Sequence, residues 1–268
     1  MPCVEMVDGV LVLSKHECPA AFGSVFEAMD YANRVSKSWG LQECYALTGC
    51  REEELFSAGG TSSLTVHTCD SSVFAGTDCN GLRLPTRAEA ELTARAGTLY
   101  AYPTGPLVTE EDVWWFICTL DNPAARSAWN CTNAYALRDG CPTPDGDWGV
   151  GCKSPQPGGT LLANPFGVFD AQGNIQELTQ KIYCRIDPTT RACVDRIRPD
   201  DRDLDERFDS NDVAVVTGGW YENSPWLTCS MCRDGLATGW GNYHLQVMGL
   251  RLVRTDSGDC DHLELPDE

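Results

Sequence analysis

Apolar residues recur at helical spacing in one stretch of the chain. In GSVFEAMDYANRVSKSWGLQECY, Val25, Ala28, Met29, Ala32 and Val35 fall on one face. Ser24 followed by Glu27 forms a capping box at the start, and Gly40 supplies the stop. The second helix is predicted in RLPTRAEAELTARAGT, where Thr86 and Glu89 repeat the capping box, Pro85 stands just outside and Gly97 ends the element. Between them, Cys44 to Cys79 shows little periodicity and reads as a cysteine-rich loop. Beyond the second helix the chain turns irregular, as in NAYALRDGCPTPDGDWGVGCKSPQPGG, with Gly, Pro, Asp and Asn nearly everywhere. RIRPDDRDLDERFDSND, with few apolar residues and both charges, reads as a solvated loop. No repeat or linker divides the chain, so residues 1–268 are expected to form a single domain, with 255–268 an acidic tail.

One polar segment fits neither period. NPFGVFDAQGNIQELTQ is too polar for a core strand and too irregular for an amphipathic helix. Asp170 and Glu177, with backbone carbonyls between them, are hard oxygen donors of the kind calcium takes. The same residues also describe a plain turn, in which Gly173-Asn174 reverses the chain between two solvated acids. On the residues alone the plain turn is the favoured reading.

Charge narrows the partners. The chain has 268 residues, 39 acidic against 20 basic, for a formal net charge of -19. That surface repels phosphate backbones, so nucleic acid is excluded as a partner, while cations and basic partners are favoured. Fifteen cysteines, spread from Cys3 to Cys260, are far more than a cytosolic domain carries. The spacings Cys44/Cys50/Cys69/Cys79, Cys131/Cys141/Cys152 and Cys184/Cys193 read as disulfide-closed loops. An extracellular or periplasmic setting, at the cell surface, is inferred from them. No signal sequence is visible after Met1, and its removal from an upstream segment is the expectation. No apolar span is long enough to cross a membrane. The odd count leaves at least one thiol free, joined to another chain or bound to a metal.

Four stretches in order carry a resemblance: FEAMDYANRVSKSWGLQECY, GLRLPTRAEAELTARAGT, NPFGVFDAQGNIQELTQ, and VVTGGWYENSPWLTCSMCRDG with VMGLRLVRT. Together, from about Val25 to Arg254, they resemble the formylglycine-generating enzyme family, also called the sulfatase-modifying factor domain. The resemblance implies an α+β, disulfide-rich fold like a heavily elaborated C-type lectin, with little regular structure and one or two calcium ions. On the matching positions Asp170 and Glu177 would supply side-chain oxygens, and Gly173 and Ile175 backbone carbonyls. This favours calcium over the solvated turn. A second calcium site would fall within Asn130 to Asp147, where the match names no ligands.

Catalysis is where the likeness breaks. Members that generate formylglycine hold copper(I) between two cysteines and use oxygen to oxidise a substrate cysteine, in a pattern resembling G-G-S-Y-x-C-x-x-x-x-C. A soft ion needs that thiolate pair. Here the strand ends TGGWYENSPWLTCSMC, so Trp220 takes the serine position, Asn223 the first cysteine position and Thr228 the second. Cys229 and Cys232 lie just beyond, as a C-x-x-C pair that could hold copper or be locked in disulfides. His16, His67, His244 and His262 lack the spacing of a helical metal site, and no G-x-S-x-G elbow occurs. As calcium ligands, Asp170 and Glu177 would stay ionised and unavailable for acid–base work.

The aromatics Trp220, Tyr221, Trp226, Trp240 and Tyr243 lie where lectin-like folds line a ligand surface, though each could equally serve the core. The expectation is therefore a secreted, calcium-stabilised, non-catalytic domain that binds a protein, peptide or glycan. Its alternatives are a divergent copper- and oxygen-dependent oxidase acting on cysteine, and a component of a disulfide-linked surface assembly.

Overall fold

The computed structural model describes residues 4–7, 10–13, 18–56, 63–106, 123–134, 154–186, 193–194, 207–209, 212–220, 233–237 and 248–255. Both predicted helices form. Helix α1 spans Val25–Ser38, with the Ser24 side chain accepting from the Glu27 N–H, and the chain turns away through Trp39 and Gly40. Its buried face includes Val25, Ala28, Met29 and Ala32, as the spacing predicts, and adds Phe26, Asn33 and Ser36, while Val35 is half-exposed. Burial of the larger ones, Val25, Phe26 and Met29, contributes about 1.5–3 kcal/mol each. The polar members are bonded rather than stranded. Asn33 exchanges hydrogen bonds with the backbone of Tyr45 at 2.7 and 3.1 Å, and Ser36 Oγ accepts from Leu82 N at 2.8 Å.

Helix α2 spans Arg87–Arg95, opened by the full Thr86–Glu89 capping box and closed by Ala96 in the left-handed region. Arg83, buried beneath it, grips Glu89 with two hydrogen bonds at 2.7 and 2.8 Å and reaches Thr255 at 3.1 Å. Burial opposes ionisation of Glu89, but the Arg83 guanidinium and the Thr86 N–H outweigh it and hold its carboxyl below the usual glutamate value. A depressed folded value stabilises the protein above the ordinary glutamate range and is lost as pH falls through the folded value. Urea midpoints measured down that range should therefore fall more steeply for the wild type than for Glu89→Gln. Parallel curves would contradict this role.

Strands β1 (Val4–Val7) and β2 (Val10–Leu13) form a hairpin. The stretch expected to be a loop from Cys44 to Cys79 instead carries strands: β3 (Tyr45–Thr48), β4 (Arg51–Phe56), β5 (Ser63–Thr68) and β6 (Ser71–Phe74). The sequence hides them for a physical reason. Arg51, Glu52, Glu53 and Glu54 of β4 are all exposed, so the strand has no apolar alternation to read. Strand β6 does alternate, but over only four residues. Two disulfides resolve the nested spacing, Cys44–Cys79 and Cys50–Cys69. Cys18 and Cys131 are also disulfide-bonded.

Strand β7 (Leu82–Arg83) leads into α2. In the second half β8 (Gln176–Ile186) is the axis of a sheet, pairing β9 (Cys193–Val194) at its far end. Strand β10 (Arg207–Asp209) extends β3 and β6, so the charged stretch 196–212 is not wholly loop. Strand β11 (Asp212–Thr217) pairs antiparallel with β8 and with β12 (Arg233–Ala237). Strand β13 (Met248–Gly249) runs parallel to the start of β8, and β14 (Val253–Arg254) returns to pair β7. The main core gathers α1 side chains with Phe74, Leu84, Leu178, Val216 and Met248. Tyr45 crosses it, donating to Gln180 at 2.7 Å and accepting from Leu84 N at 2.9 Å, and burial keeps its phenol protonated.

Candidate metal loop and the strand end beside it

The segment from Asp170 to Glu177 is a connection that enters β8, bent by three left-handed residues: Asp170 (φ 52°), Gly173 (φ 72°) and Asn174 (φ 63°). At Gly173 the conformation and the space both demand glycine. A Cβ there would lie 2.1 Å from the Trp129 carbonyl oxygen. The backbone runs against its neighbours on both sides: Gly173 N donates to Gly218 O and Asn174 N to Trp129 O, each at 2.7 Å. The Asn174 side chain, buried, accepts from Gln156 N at 2.9 Å and donates to Gln156 O at 3.0 Å, as a strand would. Gln172 donates to Ala101 O at 2.9 Å. Many protein hydrogen bonds therefore strap this loop, more than a turn-rich sequence suggests.

The two carboxylates have different surroundings. Glu177 is engaged by Arg251, whose Nη2 lies 2.7 Å and Nε 3.0 Å from Oε1, with Oε2 3.2 Å from Nε. The same Nη2 donates to Phe169 O at 3.0 Å, so one guanidinium joins both ends of the loop. The charge of Glu177 raises the Arg251 pKa against its burial. Asp170 Oδ2 accepts from Gly159 N at 2.6 Å, but Oδ1 is buried with no hydrogen-bond partner. Burial pushes the Asp170 carboxyl upward, only partly offset by the Gly159 N–H and the Arg251 charge. An unpartnered buried carboxylate oxygen is costly unless a cation or a donor meets it.

The chemistry of these donors is of the kind calcium takes. Asp170 Oδ1 is a hard, unused oxygen, and Glu177 Oε2 carries a single long contact and keeps a lone pair. With Arg251 between them, two carboxylates and one guanidinium leave one negative charge at the site. Gly173 and Ile175, placed between the two acids, fall where carbonyl ligands are expected. Arg251 was legible within the MGLRLVR motif, yet sequence reasoning gave it no role. Asn174, Gln156 and Gly159 carry no signal for theirs, because their contacts join segments distant along the chain.

Gly218 (φ 84°) and Gly219 (φ 65°) follow strand β11, and Trp220 comes next, half-buried against Ala134 along with Trp129. Trp220 thus sits beside the loop with part of its surface still exposed. Tyr221, Trp226, Cys229, Cys232, Trp240 and Tyr243 lie outside the described residues, as do 135–147 of the proposed second calcium region. Asn130 is described. Its Oδ1 is taken by Thr132, through N–H at 2.9 Å and hydroxyl at 2.6 Å.

A surface the sequence did not single out adjoins the loop. Leu162, Phe166 and Phe169, which precede Asp170, are exposed, and so are Leu92, Leu99 and Tyr100 around the end of α2. Asn164 Nδ2 ties the two segments by donating to Thr93 O at 2.7 Å.

Among solved structures, the chain is similar to Treponema denticola variable protein 1, with TM-score 0.53 and 18% identity over 89% of this chain and 72% of that one. It is also similar to CarF, with TM-score 0.48 and 18% identity over 86% and 65%. PvdO from Pseudomonas aeruginosa gives TM-score 0.47 and 19% identity over 95% and 69%. No curated protein sequence matches at a significant level. The fold is α+β and disulfide-bonded, and it is shared with Treponema denticola variable protein 1. The sequence matches the sulfatase-modifying factor enzyme 1-like domain over residues 10–256, and the chain belongs to that family.

Proposed function

We propose that this member of the family is a calcium-stabilised binding domain and not an oxidase, exported to an oxidising compartment, with a protein, peptide or glycan as its ligand. The observation that carries the reading is the pairing of a strapped loop, holding a buried carboxylate oxygen without a partner, with exposed Leu162, Phe166 and Phe169 on the segment just before it. An ion at Asp170 would fix the segment that presents these side chains. Exposed aromatics on a rigid element give large contact area at little entropic cost. Trp220, Asn223 and Thr228 at the serine and cysteine positions of the catalytic motif support the negative half of the proposal. Those positions offer copper(I) no thiolate pair. The aromatics Tyr221, Trp226, Trp240 and Tyr243 remain part of the proposed ligand surface.

The test uses the purified, never-reduced chain. A panel of glycans and peptides probed with calcium present, then with chelator, should show binding that calcium supports. That binding should fall at least tenfold in the double variant Phe166→Ser/Phe169→Ser, a loss of about 1.4 kcal/mol. Supplied with copper(I), oxygen and a cysteine peptide, the chain should form no aldehyde. Catalytic aldehyde formation would overturn the proposal in favour of the oxidase.

A further inference from the structure

We propose that Cys50, His67 and Cys69 form a second, redox-gated metal site, which takes zinc once thiols have reduced the Cys50–Cys69 disulfide. The hairpin builds it. Strands β4 and β5 pair Arg51 with Thr68 and Glu52 with His67, which sets Cys50 opposite Cys69 one position further along. Residues two apart on a strand share a face, so Cys50, Glu52, His67 and Cys69 all face the same side. Among the described residues, the ligand atoms of Cys50, His67 and Cys69 lie within 4.8 Å of one another.

The distances suit the ion. Zinc bonds of about 2.3 Å to sulfur and about 2.0 Å to nitrogen place tetrahedral ligand atoms roughly 3.5 Å apart for sulfur and nitrogen. His67 Nε2 and Cys69 Sγ already stand 3.9 Å apart. The two sulfurs must separate, to roughly 3.8 Å by the same bond lengths, with the ligand atoms of all three residues starting within 4.8 Å of one another. Two thiolates and an imidazole are a zinc donor set, with the fourth position left to water or to Glu52. The face is held from behind. Ser24, the cap of α1, donates its hydroxyl to the His67 carbonyl, so the histidine backbone is anchored to a helix end and does not depend on the disulfide.

Access makes the site selective. Cys50 is exposed, whereas Cys44 and Cys79 of the neighbouring disulfide are both buried. A reductant thiolate attacks the Cys50 sulfur and the S–S bond breaks, leaving the electron pair on Cys69, which takes a proton. A second reductant thiol then displaces the first as their shared disulfide, and Cys50 is left as a thiol. Two reductant thiols are oxidised and one protein disulfide is reduced. Zinc entry then displaces the two thiol protons.

The experiment treats the full chain with graded thiol reductant, removes it under argon, and adds zinc or chelator. Iodoacetamide then labels the free thiols, and peptide mass spectrometry reads each cysteine. Cys50 and Cys69 should become labelled at lower reductant than Cys44 and Cys79. Zinc should slow their labelling at least tenfold. His67→Gln, which keeps the disulfide and hence the oxidised fold, should lose most of that protection. Three outcomes overturn the proposal: reduction of Cys44–Cys79 first, no protection of Cys50 and Cys69 by zinc, or equal protection in His67→Gln.

Discussion

Gly173→Ala unfolds the protein at temperatures the wild type withstands. Two costs add at this position. A left-handed φ of 72° costs an alanine about 1–2 kcal/mol. The new Cβ would also sit 2.1 Å from a backbone oxygen of Trp129, with two more Trp129 backbone atoms at 2.9 and 3.0 Å. Backbone cannot swing aside as a long side chain can. The two segments must part, and the hydrogen bonds Asn174–Trp129 and Gly173–Gly218 stretch with them. A loss on the order of 4 kcal/mol is expected, in the range of exceptional single substitutions. For a chain of this size that is roughly 10 °C in Tm. Gly97→Ala separates the two costs, since Gly97 has φ 81° but nothing within 4 Å of a built Cβ. It should lose only about 1 kcal/mol. Equal losses in calorimetry would show that the close approach at Trp129 contributes nothing.

Asp170→Asn changes sign with calcium. In chelator, the wild type keeps an ionised carboxylate whose Oδ1 is buried and unpartnered, at a cost the neutral amide lessens. The variant should then match or exceed the wild type. In calcium at about 100 times its Kd, the wild type gains about 2.7 kcal/mol and the variant little, so the order reverses. Thermal scans of both proteins, with and without calcium, give the four values needed. A calcium shift of equal size in both would place the ion elsewhere, and no shift in either would remove calcium from the account. Arg251 does not weaken the expectation, because its hydrogen bonds go to Glu177 and Phe169 and leave Asp170 Oδ1 unmet.

Local signals in the sequence carried far. Both helices were readable from local signals: a cap and apolar spacing agree in α1, and the Thr86–Glu89 capping box marks α2. The Cys44 to Cys79 strands were not readable, since β4 exposes Arg51 to Glu54 and only its cross-strand partners make it a strand. The site followed the same division. Gly173 and the two acids could be found from their order along the chain. Arg251 stood in a legible motif, but its role of joining Phe169 to Glu177 could not be read, because it reaches them from just beyond β13. Nor could the different fates of the two acids, which are set by that one arginine.

The account turns on what the cysteines and metals are in protein that has never met reductant. Free thiols would be alkylated before digestion and mapped by mass spectrometry, with bound metals read from a parallel native sample. The prediction is calcium as the bound metal, with Cys229 and Cys232 both in disulfides and unlabelled. Labelling of both cysteines, with copper accompanying the protein, would contradict the binding-domain account and establish a copper site near the end of β11.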